Sequence, residues 1–204
     1  MDQKSLPNNL SAIILAAGKS MRTSPANKLL LPFQGKTIIQ TVVDEIIPLN
    51  FAEILLITGH EEDKVIAALQ GYEVRFVHNV NHATGIATSI KAGIAKSKPE
   101  VDGYMIVLGD MPWIDQTALK SLVRSFYAEP DSAIVVPVHD KRRGNPVIFA
   151  RKYRNQLSKL DGDNGARSII NKFGPQVIEV QIKNERLLMD IDTWEDYENR
   201  KQNP

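Results

Sequence analysis

Directly after the apolar run Ser11–Ile14, the chain reads "LAAGKSMRTSPANK" from Leu15 to Lys28. Ala16, Ala17 and Gly18 carry little or no side chain, so a ligand can come close to their backbone N–H groups, and such groups suit phosphate oxygens. Lys19, Arg22 and Lys28 add cations and Ser20 adds a hydroxyl, the arginine offering a planar fork and the lysines mobile point charges. The plain alternative is a solvated connecting loop. A Walker loop is excluded, because Ile13 stands five residues before Gly18 where that motif needs glycine. Gly-x-Gly-x-x-Gly is absent too, which disfavours a dinucleotide site.

A loop that gathers linked phosphates calls for a divalent cation, since those phosphates repel an incoming nucleophile. Mg²⁺ takes oxygen ligands, commonly one or two carboxylates plus phosphate oxygens. Asp110 follows the apolar run "GYMIVLG", which puts it at the carboxyl rim of a strand on the side of the first loop. It also reads as a turn residue ahead of Met111-Pro112. Asp190 and Asp192 lie two apart in "MDID", so an extended segment would turn both the same way. Asp192 equally suits a helix N-cap, with Glu195 three residues on completing a capping box.

These groups need a frame. Strand-like runs occur at "SAIILAA", "EILLIT", "YEVRFVH", "GYMIVLG", "SAIVVPV", "NPVIFA" and "QVIEVQI". Helical spacing separates most of them. In "KTIIQTVVDEII", residues Ile38, Ile39, Val42, Val43, Ile46 and Ile47 repeat on one face, and Pro48 ends the run. "EEDKVIAALQG", "GIATSIKAGIAKS" and "IDQTALKSLVRSFYAE" predict further helices, the last with Asp115 as N-cap; "RKYRNQLSKL", "GARSIINKF" and "TWEDYENRKQ" follow. Apolar strands alternating with helices predict an α/β domain of three layers, a mostly parallel twisted sheet with helices on both faces. The segment "PVHDKRRGNPVIFA" departs from this pattern and predicts a small antiparallel hairpin. No repeat or linker divides the chain, so one domain over 1–204 is expected. In such a sheet ligands bind beyond the carboxyl ends of the strands, where the first loop and Asp110 both emerge.

The stretch "LAAGKSMR…NKLLLPFQGKTIIQTVV" resembles the signature of the MobA-like nucleotidyltransferases, and within them most resembles the molybdenum cofactor cytidylyltransferases. "HATGIATSIKAGI", "VLGDMPWID", "RGNPVIFA", "LDGDNGARSII" and "MDIDTWEDYE" match in the same order, so the likeness covers nearly the whole chain. It departs in three places. Ser24 replaces the family's glycine, with one extra residue before Lys28. "GKT" replaces Gly-Lys-Pro. Asn145 stands where the family commonly has histidine, and asparagine cannot titrate near neutral pH.

The resemblance implies a Rossmann-like nucleotidyltransferase fold and transfer of a nucleoside monophosphate, CMP from CTP, to the terminal phosphate of molybdopterin or molybdenum cofactor, with release of pyrophosphate. It implies that Leu15, Ala16, Ala17, Gly18, Lys19, Ser20, Arg22, Lys28 and Asp110 hold the nucleotide, with Gly85 and Ser89 near the base and Asn79 beside them. The same resemblance implies that Arg22, Lys28 and Asp110 carry catalysis and that Asp110 with Asp192 hold Mg²⁺. Asp190 is left as an outer partner of that pair. Gly144, Asn145, Pro146, Asp163, Gly165 and Arg167 fall to the acceptor side. Taken alone, Gly85 and Ser89 fit an ordinary helix start, and Arg167 a surface arginine at one. "LAAG" points to the cytidylyl rather than the guanylyl relatives, which tend to have Leu-Ala-Gly-Gly. Acceptors of another kind, a sugar 1-phosphate or other phosphorylated alcohol, remain alternatives, as does a cofactor-delivery chaperone without turnover. A molybdoenzyme or its chaperone is the implied downstream partner.

Composition narrows the field. Of 204 residues, 43% are hydrophobic and 24% charged, with a net charge of +1; a general nucleic-acid binder would show a basic excess. There is no cysteine, so neither thiolate ligand nor thiol nucleophile is available, and a cytoplasmic setting is expected. No secretory leader is read in "MDQKSLPNNL", and no apolar run approaches the roughly 20 residues of a membrane span. The four histidines lack metal-ligand spacing. Lys141, Arg142 and Arg143 read as a charged turn.

Overall fold

The computed structural model describes residues 8–19, 27–129, 133–163 and 165–201. Strand β1 (Leu10–Ala16) is buried at every position, which is why its sequence is apolar without alternation: both faces are covered. A short ribbon follows, β2 (Pro32–Phe33) against β3 (Lys36–Thr37). Its two turn residues, Gln34 and Gly35, both have positive φ, as a two-residue hairpin turn of this twist requires. Helix α1 (Ile38–Ile46) starts with a capping box in which Thr37 and Gln40 satisfy each other's backbone N–H groups, and it buries Ile38, Ile39, Val42, Val43 and Ile46. Pro48 sits inside a 3-10 turn, Ile47–Leu49, that closes the helix.

Next come β4 (Glu53–Thr58), α2 (Glu62–Ala68), β5 (Arg75–His78), α3 (Ile86–Lys96), β6 (Gly103–Leu108) and α4 (Gln116–Ala128). Asp115 caps α4 by accepting from the Ala118 N–H, as the sequence predicts. The second half contributes β7 (Ile134–His139), β8 (Arg142–Arg143), β9 (Val147–Ala150), α5 (Arg154–Ser158), α6 (Arg167–Lys172), β10 (Val177–Gln181) and α7 (Trp194–Arg200).

The main sheet runs β10-β7-β9-β6-β1-β4-β5, with β8 attached to β7. β1 pairs in parallel with β4 on one side and β6 on the other, and helices cover both faces. β9 runs antiparallel to both β6 and β7. The antiparallel hairpin is therefore a central part of the sheet rather than an appendage. No helix among the described residues is long and apolar enough to cross a membrane.

The chain turns one way from β1 to β4 and later the other way to β6, so the carboxyl ends of β1 and β6 frame a switch point, the place where such sheets bind ligands. The two ends are stitched together: the Gly109 N–H donates to Leu15 O at 3.0 Å. A Cβ on Gly109 would lie 2.9 Å from that same oxygen, so only glycine lets Asp110 follow so closely.

Candidate active site

Three chain segments converge at the switch point on Asp110, which follows β6. The first is the loop leaving β1. The second is a 3-10 turn, Lys28–Leu30, whose N-cap Asn27 accepts from the Leu29 N–H at 3.1 Å. Leu29 is buried beneath it, which fixes the main chain and aims Lys28 inward. The third is the C-terminal crossing, Met189–Asp192, pinned by the Ile191 N–H donating to Asp110 O at 3.0 Å. Ile191 is fully buried in a satellite cluster with Leu31, Phe33, Ile38 and Tyr197, and the Tyr197 hydroxyl donates to Pro32 O at 2.8 Å. An apolar anchor thus stands between two aspartates and holds both at the rim.

The result is a cluster of carboxylates. One oxygen from each of Asp110, Asp190 and Asp192 lies within 4.8 Å of the others. Lys28 sits among them, its Nζ 2.5 Å from Asp110 Oδ2 and 3.2 Å from Asp192 Oδ1. Burial works against the Lys28 charge, but Asp110 and then Asp192 outweigh it and hold the ammonium's pKa above the usual lysine value. The Asp190 pKa is raised as well, which for a carboxylate disfavours the charge: burial first, then the charges of Asp110 and Asp192, push it up, and a backbone hydrogen bond and Lys28 oppose this only in part.

The cap assignment of Asp192 needs correction. Thr193 is the N-cap of α7, with Asp196 completing the box, one residue later than the Asp192–Glu195 pairing expected from sequence. Thr193 wins because its hydroxyl bonds the Asp196 N–H while the Asp196 carboxylate accepts from the Thr193 N–H at 3.0 Å. Asp192 instead points its carboxylate at Lys28.

A cavity of about 550 Å³ opens beside the cluster. Leu15, Ala16, Ala17, Gly18, Lys19, Lys28, Gly85, Ser89 and Asp110, all expected on the nucleotide side, line it, together with Asp190 and Asp192. Ser20, Arg22 and Ser24 lie outside the described residues. Asn79 does not line the cavity. It is buried, its Nδ2 donating to Thr88 Oγ1 and Ser89 Oγ and its Oδ1 accepting from the Asn81 N–H, so it braces the start of α3. Gly85 has φ +105, and a Cβ there would stand 2.3 Å from Asp163 Oδ1 and 2.9 Å from Gly162 O. Glycine is therefore required where the wall of this cavity meets the next.

A second cavity of about 220 Å³ adjoins the first, sharing Leu15, Ile86, Leu108, Asp163 and Asp190. Ile106, Val147 and Phe149 give it apolar walls; Asn145, Asp163 and Arg167 supply polar groups, with Gly165 alongside. Gly144 and Pro146 are not part of its lining. Gly144 packs against Leu188, whose Cδ2 a Cβ would meet at 2.3 Å. Arg143 pairs with Glu179 at 2.7 Å, and none of Lys141, Arg142 or Arg143 lines either cavity, so the charged-turn reading holds for them.

Two features go beyond what the sequence reading assigned. Asp190, expected only as an outer partner, brings a carboxylate oxygen within 4.8 Å of those of Asp110 and Asp192. His82 also lines the main cavity. Among the described residues its buried Nδ1 has no hydrogen-bond partner, and burial, then Lys19, His60 and His78, lowers its pKa. The ring is placed there because Gly59 has no side chain: a Cβ would meet His82 Cβ at 2.6 Å.

The model of the MobA-like NTP transferase domain matches residues 12–177. The chain belongs to this family. By membership it is a nucleotidyltransferase. It is 26% identical to the molybdenum cofactor cytidylyltransferase of Escherichia coli over 92% of this chain and 93% of that protein. It is 31% identical to the bifunctional protein GlmU of Francisella philomiragia over 79% of this chain, but spans only 36% of that relative's length. A nicotine blue oxidoreductase of Paenarthrobacter nicotinovorans is 26% identical over 91% of this chain and 93% of that protein. Among solved structures, Rv0371c of Mycobacterium tuberculosis superimposes with a TM-score of 0.82 at 27% identity, over 96% of this chain and 99% of the other. The same protein has been solved in complex with manganese.

The carboxylate set fits a divalent cation. Magnesium lies about 2.1 Å from each ligand oxygen, so oxygens on opposite sides of it are about 4.2 Å apart. Spacings up to 4.8 Å close to that with small side-chain rotations. A cation, the Lys28 ammonium, already sits against two of the three.

Proposed function

We propose that this nucleotidyltransferase moves CMP from CTP to the terminal phosphate of molybdopterin or molybdenum cofactor. An oxygen of the acceptor phosphate forms a bond to the α-phosphorus. The bond from that phosphorus to the oxygen bridging the β-phosphate breaks, and pyrophosphate leaves in line. The acceptor oxygen is already ionised, so no residue has to remove a proton. Catalysis then rests on positioning and charge neutralisation.

The observation that carries this reading is the three-carboxylate cluster with Lys28 at the junction of two adjoining cavities. In this assignment the Leu15–Gly18 backbone and Lys19 cradle the triphosphate, and Gly85 and Ser89 border the base. Lys28 and Arg22 carry the charge of the departing pyrophosphate. Asp110, Asp190 and Asp192 would hold Mg²⁺, which when bound neutralises charge on the donor phosphates. The smaller cavity suits a flat heterocycle: apolar walls for the ring faces, Asn145 and Asp163 for its edge, Arg167 for its phosphate. Oxidoreduction, named for one relative, would leave three converging carboxylates without a task. The choice of CTP leans on the "LAAG" resemblance.

Pyrophosphate release with each NTP and with purified molybdopterin or a panel of sugar 1-phosphates tests the reading. The expected result is release that needs CTP and molybdopterin together. Release only with sugar phosphates would move the acceptor, and no release with any pair would favour a delivery protein over an enzyme.

A further inference from the structure

We propose that Lys28 is the resident counter-cation of the carboxylate centre, and that nucleotide and divalent metal load it by displacing that ammonium. This rests on reading the site as one for nucleotidyl transfer, and adds an order to its filling.

The geometry allows one cation at a time. Nζ is 2.5 Å from Asp110 Oδ2 and 3.2 Å from Asp192 Oδ1, so it holds two of the three carboxylates a metal would use. Its side chain is 15% exposed, against 50% for that of Asp192, so the ammonium is seated within the cluster rather than resting on its surface. An ion about 2.1 Å from Asp110 Oδ2 would lie no more than about 4.6 Å from Nζ, a like-charge contact that disfavours both. Lys28 must therefore leave for the metal to bind well.

It has somewhere to go. The same side chain lines the main cavity alongside Gly18 and Lys19, where a polyphosphate would offer it new anionic partners. The main chain need not move, because the Asn27 cap and buried Leu29 hold it. Only the flexible four-carbon stem turns. The polyphosphate thus draws the ammonium out as the metal comes in, and the two ligands favour each other. Couplings of this kind amount to about 5–150-fold in affinity.

The test compares wild type with Lys28→Met and Lys28→Gln. Manganese binding to nucleotide-free protein is read from the paramagnetic resonance of free Mn²⁺, and CTP binding is measured in EDTA. Both variants are expected to bind Mn²⁺ at least about tenfold more tightly than wild type and to bind CTP more weakly. A merely structural role would weaken both. Equal or weaker Mn²⁺ binding in the variants overturns the proposal. If no nucleotide binds any of the three proteins, the donor assignment under the proposed function fails, while the manganese comparison still decides the role of Lys28. Should either metal-free variant melt early, saturating Mn²⁺ must restore its melting temperature; failure to do so also counts against displacement.

Discussion

Asp190→Asn should make the metal-free protein more stable while weakening its hold on metal. Asp190 has carboxylate oxygens of Asp110 and Asp192 within 4.8 Å. At an effective dielectric constant near 20, two unit charges at that distance repel by about 3.5 kcal/mol. Asp190 meets two negative charges and the single Lys28 ammonium bonded to both, leaving roughly one such repulsion. Solvent reaching half-exposed Asp192 and added salt reduce it to about 1–2 kcal/mol. In a chain of this size each kcal/mol moves the melting temperature by about 2–4 °C.

The sign with pH follows from the raised Asp190 pKa, caused first by burial and then by its two acidic neighbours. Folded wild type binds this proton more readily than the unfolded chain, so wild-type stability falls as pH rises from the ordinary aspartate value, about 3.9, through the raised one. Asparagine has no such penalty. The advantage of the variant is therefore full above the raised pKa and disappears below about pH 4. The assay is thermal unfolding in EDTA across pH 4–8, repeated with a fixed excess of Mn²⁺, where wild type gains more because the stability added by a ligand grows with the logarithm of its affinity. A variant that melts at or below the wild-type temperature in EDTA at neutral pH would refute the claim that the three carboxylates repel one another at the rim.

Three other substitutions probe the site separately. Asp110→Ala should lower pyrophosphate release by about 10²-fold or more with little change in the circular-dichroism melt; near-normal turnover would remove Asp110 from the centre. Gly85→Ala forces a side chain onto a backbone at φ +105 and toward the Gly162 carbonyl, and should cost about 1–3 kcal/mol, seen as an earlier thermal transition. Ile191→Ala removes a fully buried side chain at about 2–5 kcal/mol, and by loosening the flanking aspartates should weaken Mn²⁺ binding. Unchanged metal affinity there would mean that the Ile191–Asp110 backbone bond suffices to place them.

What the sequence reveals follows from how local each signal is. β1, β4 and β6 are legible because strands covered on both faces must be apolar throughout, and α1 because its buried stripe repeats with the helical period. The antiparallel character of residues 134–150 is also local. Its position is not: nothing within "NPVIFA" says that β9 will lie between β6 and β7, since strand order is settled by packing across the whole sheet. The cap of α7 shows the same limit on a smaller scale. Asp192 and Thr193 are both good capping residues, and each has an acid three positions on, Glu195 or Asp196. Sequence offers two equivalent registers. The three-dimensional need to bury Ile191 against Leu31, Phe33 and Tyr197 accompanies the Thr193 register, which leaves Asp192 facing Lys28. Asp190 then joins the cluster through two-residue periodicity alone, because a buried residue between two aspartates in an extended segment turns both to the opposite side. The C-terminal carboxylates thus depend on an apolar anchor, and a search for acidic motifs that ignores the isoleucine between them misses what positions the pair.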